Sequence, residues 1–184
     1  MKVTIKDKNR LPEIITNCKR INGKKIWVGI EPGKMSSDGE LTLQALASIH
    51  EYGCRINVTP KMRAYLHRQG LHLKETTTTI VIPERSFIRA GYDQNEKSFL
   101  KFVESQLENA LFKGHSIDTF LSVCADQLAG DIQEFAVDLS SPKNHPFTVE
   151  QKGSSNPLVD TGEMIRAIKG KVVEWKQVID LKTW

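Results

Sequence analysis

The chain has 184 residues, enough for one domain with a real core, whereas two domains would each be small. Hydrophobic residues at 39% and charged residues at 26% exclude a wholly disordered or fibrous chain. The formal net charge of +4 comes from Lys and Arg interleaved with Asp and Glu, so no continuous basic stripe argues for nucleic-acid binding.

Cys18, Cys54 and Cys124 lack Cys-x-x-Cys spacing, which indicates neither a disulfide framework nor a zinc site and fits a reducing compartment. The opening "MKVTIKDKNR" has no apolar signal core, and no stretch approaches the ~18 apolar residues of a membrane span. The expected location is the cytoplasm.

Leu11, Ile14, Ile15 and Cys18 recur at helical spacing, with Asn22-Gly23 as the stop, although Asn-Gly also suits a hairpin turn. "KKIWVGI" reads as a strand with Ile26, Val28 and Ile30 on one face. In the loop "EPGKMSSDGE", Ser37 and Glu40 have capping-box spacing, which predicts a helix from Leu41 that buries Ala45, Leu46, Ile49 and Tyr52 and ends at Gly53. A second short helix is predicted in "TPKMRAYLHRQG", capped by Thr59 and ended by Gly70. The β-branched run "ETTTTIVIP" predicts a strand closed by Pro83.

From about Asn95 the period changes. Phe99, Phe102, Val103, Gln106, Leu107, Ala110 and Leu111 trace one face of a long helix stopped by Gly114. Ile117, Phe120, Leu121, Cys124, Leu128, Ile132 and Phe135 trace another, with Gly130 as a weak point. The stretch from about 140 to 155 reads as an irregular, mobile loop, followed by a short helix at Glu163 to Ile168 and a strand at "KGKVVEW". These elements predict a single α+β domain over 1–184, with an antiparallel sheet packed against two long helices.

"LVDTG" is how an aspartic protease presents its catalytic carboxylate, and such an enzyme needs two carboxylates sharing one proton. Only one Asp-Thr-Gly is present, so a peptidase built on Asp160, Thr161 and Gly162 would have to be a dimer. The helical look of "EMIRAIKG" also argues for a simpler reading, in which Asp160 caps the next helix. His50-Glu51 opens like a zinc-protease helix, but position 54 is Cys, and His67 and His72 do not share one helical face. No metal or cofactor is expected. In "IPERSFIR", Arg85, Phe87 and Arg89 combine planar cations with an apolar anchor, a composition enriched at interfaces. The alternative puts Phe87 and Ile88 in the core, with the arginines solvated or paired to Glu84 and Asp93. Lys61, Arg63, Arg68 and Lys74 could form a small basic face, the basis of a DNA-binding alternative.

Three segments in order, "LASIHEYG", "IPERSFIR" and "NPLVDTGEMIRAI", resemble the small tail-completion or virion-morphogenesis proteins of Mu-like and lambdoid phages and prophages. The resemblance makes His50, Glu51, Gly53, Pro83, Pro157, Asp160, Thr161 and Gly162 structural motif residues. It departs at Ser86, where that family usually has proline, and at an insertion of about residues 55–79. It implies a tail-terminator-like or neck-protein-like fold and a structural protein without enzymatic activity. Such a protein would act in tail completion or head-tail joining, in the virion and, during assembly, in the host cytoplasm. Its partners would be other tail or neck proteins and further copies of itself in a ring, with a monomer or dimer when free. Neither a membrane nor a specific nucleic-acid ligand is implied.

Overall fold

The computed structural model describes residues 9–174 as a mixed α and β chain. In order, its elements are α1 (Leu11–Ile21), β1 (Lys24–Ile30), α2 (Leu43–Tyr52), β2 (Cys54–Asn57), α3 (Pro60–Arg68), β3 (Thr79–Ile82), α4 (Ile88–Phe112), α5 (Ile117–Asp138), α6 (Pro146–Lys152), α7 (Glu163–Arg166) and β4 (Ile168–Glu174). Where the sequence suggests one sheet, the strands form two separate pairs, β1 with β4 and β2 with β3. The end of the predicted last strand, Trp175, lies outside the described residues.

The chain expected as one domain clusters into two compact units. The first comprises residues 9–28, 96–128 and 170–174 of the described chain. Its core is the predicted apolar stripe of α5, with Ile117, Phe120, Leu121, Cys124 and Leu128 all buried, together with Phe99 and Ala110 of α4. Gly170 of β4 lies so close to α5 that a Cβ there would come within 2.0 Å of the Ala125 carbonyl oxygen, so any side chain would separate strand from helix.

The second unit, residues 29–95 and 129–169, holds all three motifs. Its core combines Leu43 and Ala47 of α2, Phe87, Ile132 and Ala136 of α5, Leu158, Met164 and Ile165. The predicted buried face of α2 is rotated. Leu43, Ala47 and Glu51 are the buried residues, while Tyr52 is 65% exposed. The helix also starts later than predicted, because Thr42 caps it by accepting from the Ala45 N–H at 3.1 Å. The Ser37 and Glu40 capping box does not form, and the Ser37 N–H donates instead to Glu163 at 3.1 Å.

Two other expectations are corrected. The strand "ETTTTIVI" is confined to Thr79–Ile82, because the guanidinium of Arg63 holds the carbonyls of Leu73, Lys74 and Thr77 at 2.6–3.1 Å in a turn. The stretch expected to be irregular contains α6, which is closed by Gly153 in the left-handed region at φ 67°.

Candidate functional site

The segment 55–79 explains how the first two motifs meet. It leaves the chain along β2, carries α3, and returns along β3, with Cys54 opposite Ile82 and Asn57 opposite Thr79 in an antiparallel ladder. Residues flanking the ribbon are therefore neighbours despite about 30 intervening residues. Gly53 stands at this junction with φ 71°, and a Cβ there would meet the Glu84 nitrogen and the Ile82 carbonyl oxygen at 2.9 Å each. Only glycine fits both the conformation and the space.

Two residues earlier, Glu51 is 4% exposed and faces the start of α4. Its Oε2 accepts from the backbone N–H of Phe87 at 2.8 Å and of Ile88 at 2.9 Å. Its Oε1 accepts from the Ser86 hydroxyl at 2.8 Å, the Arg89 N–H at 3.1 Å and the Arg89 Nε–H at 2.9 Å. A helix start leaves its first N–H groups without partners, and a carboxylate there also meets the favourable end of the helix dipole. Glu51 thus caps α4 from another helix, and this cap starts α4 seven residues before the position read from periodicity. Arg89 closes the cluster by donating to the Glu51 carbonyl at 3.0 Å and to Glu84 at 2.7 Å, with its guanidinium 4.7 Å from the Tyr52 ring centre.

The second and third motifs are linked by Arg85. The residue is 4% exposed, and its guanidinium donates to the Pro142 carbonyl at 2.8 Å, the Lys143 carbonyl at 3.2 Å and Asn144 Oδ1 at 3.0 Å. Its own N–H donates to the His50 carbonyl at 2.7 Å, which also ties it to the first motif. Asn144 passes the link on by donating to the Asn156 carbonyl at 3.4 Å. Asn156 then organises "NPLVDTG", with Oδ1 accepting from the Leu158 and Val159 N–H groups at 2.9 Å and Nδ2 donating to the Val137 carbonyl. Pro157 and Leu158 are buried beneath it.

Burial would raise the Glu51 pKa, but hydrogen bonds from Ile88, Arg89 and Ser86 outweigh it and hold the carboxyl below its ordinary value. Burial, followed by the charges of Arg85 and Lys152, pushes His50 down to about 4, so it is a neutral imidazole near neutral pH. Its Nδ1 is buried without a hydrogen-bond partner. Burial likewise lowers Arg85.

The residues expected to face a partner are placed differently. Phe87 is 0% exposed and Arg85 is enclosed by its acceptors, so neither offers a surface while the unit is folded. Arg89, with half of its side chain exposed, is the member of the three that reaches solvent. Asp160 is exposed and does not cap α7. The Thr161 hydroxyl faces the Glu163 N–H at 3.4 Å, and Gly162, with φ 76°, precedes the helix. Lys152 feels the Asp160 charge, which offsets part of its depression by burial.

His67 and His72 do not share a helical face, since α3 ends at Arg68, but they meet across the turn that follows it. Gly70, at φ 90°, reverses the chain and brings the two Nδ1 atoms to 2.6 Å. Among the described residues no group of three or more His, Cys, Asp or Glu could hold a metal ion, and no helix is long and apolar enough to cross a membrane.

Sequence reasoning missed the roles of Asn144 and Asn156. The one signal was the Asn-Pro pair at 156–157, a turn former read only as part of the family pattern. Comparison with known proteins finds no matching family model, no matching curated protein and no matching solved structure.

Proposed function

We propose that the chain is a structural protein of a tailed phage or prophage, acting in tail completion or head-tail joining as a ring at the head-proximal end of the tail. The resemblance of the three motifs motivates this reading, and a tail-terminator-like or neck-like fold belongs to the same proposal. One observation carries it further. The two buried charged residues of the motifs are consumed internally, with Glu51 receiving five hydrogen bonds and the Arg85 side chain donating three. Catalytic groups need free valences aimed at a cavity, whereas these residues fix backbone to backbone. That use suits a scaffold whose shape is its function.

The peptidase alternative would need Asp160 in a shared-proton pair, and the exposed turn before α7 lends it no support. The DNA-binding alternative loses Arg63, whose guanidinium is spent on three carbonyls. The reading places the protein in the virion and, before that, in the host cytoplasm, with tail or neck proteins as partners.

Deleting the gene from an inducible phage that carries it, then viewing the lysate by negative-stain electron microscopy, tests the proposal. Filled heads separate from unjoined or abnormally long tails are expected. Normal particles would overturn it.

A further inference from the structure

Helix α3 contributes no buried residue to its unit. A helix of nine residues is too short to be stable on its own in water, where ~12–15 residues are marginal, so an unburied α3 gains from a docking partner. Its outer stripe has a definite chemistry. Lys61, Tyr65 and Arg68 lie at i, i+4 and i+7 on one face, all exposed, with Tyr65 at 53%. From Val58 to Lys74 the chain carries four cations and no carboxylate.

The same unit presents the complementary surface. Gln94 and Asn95 of α4, with Asp131, Glu134, Phe135 and Asp138 of α5, line an open groove of about 390 Å³. Asp131, Glu134 and Asp138 recur at i, i+3 and i+7, which sets three carboxylates along one side, with the Phe135 ring among them. The groove is large enough for a phenol ring flanked by two cationic side chains, and tyrosine and arginine are the residue types that most often anchor interfaces.

We propose that the Lys61, Tyr65 and Arg68 face of α3 docks into the acidic groove of a second copy of this chain. Tyr65 packs against Phe135, while Lys61 and Arg68 meet the carboxylates. Donor and acceptor are different patches, so the contact is heterologous and leaves the pair with one groove open on one copy and one α3 face open on the other, the arrangement that generates rings when the rotation closes. The proposal rests on the ring reading above and gives it a contact. It also gives the insertion a purpose, since the ribbon β2–β3 is what carries α3.

The test is sedimentation velocity at low salt over a range of protein concentrations. It compares wild type with K61E/R68E, with E134K/D138K, and with an equimolar mixture of the two variants, each shown by circular dichroism to melt like wild type. Wild type should associate with rising concentration and dissociate in high salt. Each reversed variant alone should associate at least about tenfold more weakly, because both surfaces then carry the same sign. The mixture should recover association, since each variant restores the other's missing complement. A wild type that stays monomeric throughout, or a mixture that does not recover, would overturn the contact. Association indifferent to both reversals would also overturn it but leave the ring reading standing, which the deletion phenotype decides separately.

Discussion

The Glu51 carboxylate and the Phe87 backbone N–H, 36 residues apart, are joined at 2.8 Å at the start of the longest helix of the described chain. Removing the carboxylate leaves the first N–H groups of α4 without their acceptor and costs Arg89 its Nε–H bond, while its contacts to the Glu51 carbonyl and Glu84 remain. Glu51 is buried but Arg89 is half exposed and stays hydrated, so the cost is that of buried N–H groups losing a charged acceptor, about 1–3 kcal/mol. Glu51→Ala should lose about 2–3 kcal/mol in urea unfolding, and Glu51→Gln, which keeps one acceptor oxygen, about 1 kcal/mol. A loss under about 0.5 kcal/mol for the alanine variant, the size of an ordinary surface substitution, would contradict the capping role.

Acid should unfold the protein in two stages. His50 has a folded-state pKa depressed from 6.5 to about 4, so the unfolded chain takes up its proton first. Stability therefore falls as pH drops from 6.5 towards 4, by on the order of 3 kcal/mol from this group, and no further below that. Glu51 is also depressed, and for a carboxyl this means stability present above its unfolded pKa and lost as pH falls through the folded one. Its contribution declines from about pH 4.5 downward. His50→Gln should flatten the first stage and leave the second. Equal slopes for the two proteins between pH 6.5 and 4 would refute the assignment.

Arg85 ties residues 142–144 to the start of the second motif through neutral acceptors arranged around a planar fork. Lysine keeps the charge but cannot reach three acceptors at once. Arg85→Lys should destabilise by about 2–3 kcal/mol and open the segment from 140 to 157 to limited proteolysis at a protein concentration where wild type is resistant. Unchanged cleavage kinetics would count against the clamp.

Gly53→Ala should be among the most damaging small substitutions, costing more than about 2 kcal/mol, since it adds a Cβ against two backbone atoms at a positive φ. Thermal melting gives the readout. By contrast, Asp160→Asn should change stability by less than about 0.5 kcal/mol, because Asp160 is exposed and caps nothing. A large loss there would point to a role the turn does not reveal.

What could be read from the sequence follows from how far apart the causes lie. The stripe Ile117, Phe120, Leu121, Cys124 and Leu128 is legible because its period is local, and it is buried as read. Thr59 caps α3 by accepting from Met62, another local rule. The start of α4 was not legible, since its cap comes from Glu51 in a different helix. Nor was the α2 face, where a carboxylate rather than Tyr52 is buried because Phe87, Ile88 and Arg89 need an acceptor. For the site, motif order brought the right segments forward, but composition alone gave Phe87 and Arg85 to a surface. Their burial depends on the ribbon pairing of Cys54 with Ile82 and on the 142–144 carbonyls, contacts that no spacing announces.

The central claim, that this is a structural protein of virion assembly, is tested most directly by complementation in a lysate. Purified protein is added to an extract of cells induced for the deleted phage, and infectious titre is counted. The account predicts recovery of titre with wild-type protein and with Asp160→Asn alike, and failure with Glu51→Ala at temperatures where that variant is unfolded. Titre that is already normal without added protein, or that recovers with wild type but not with Asp160→Asn, would contradict it.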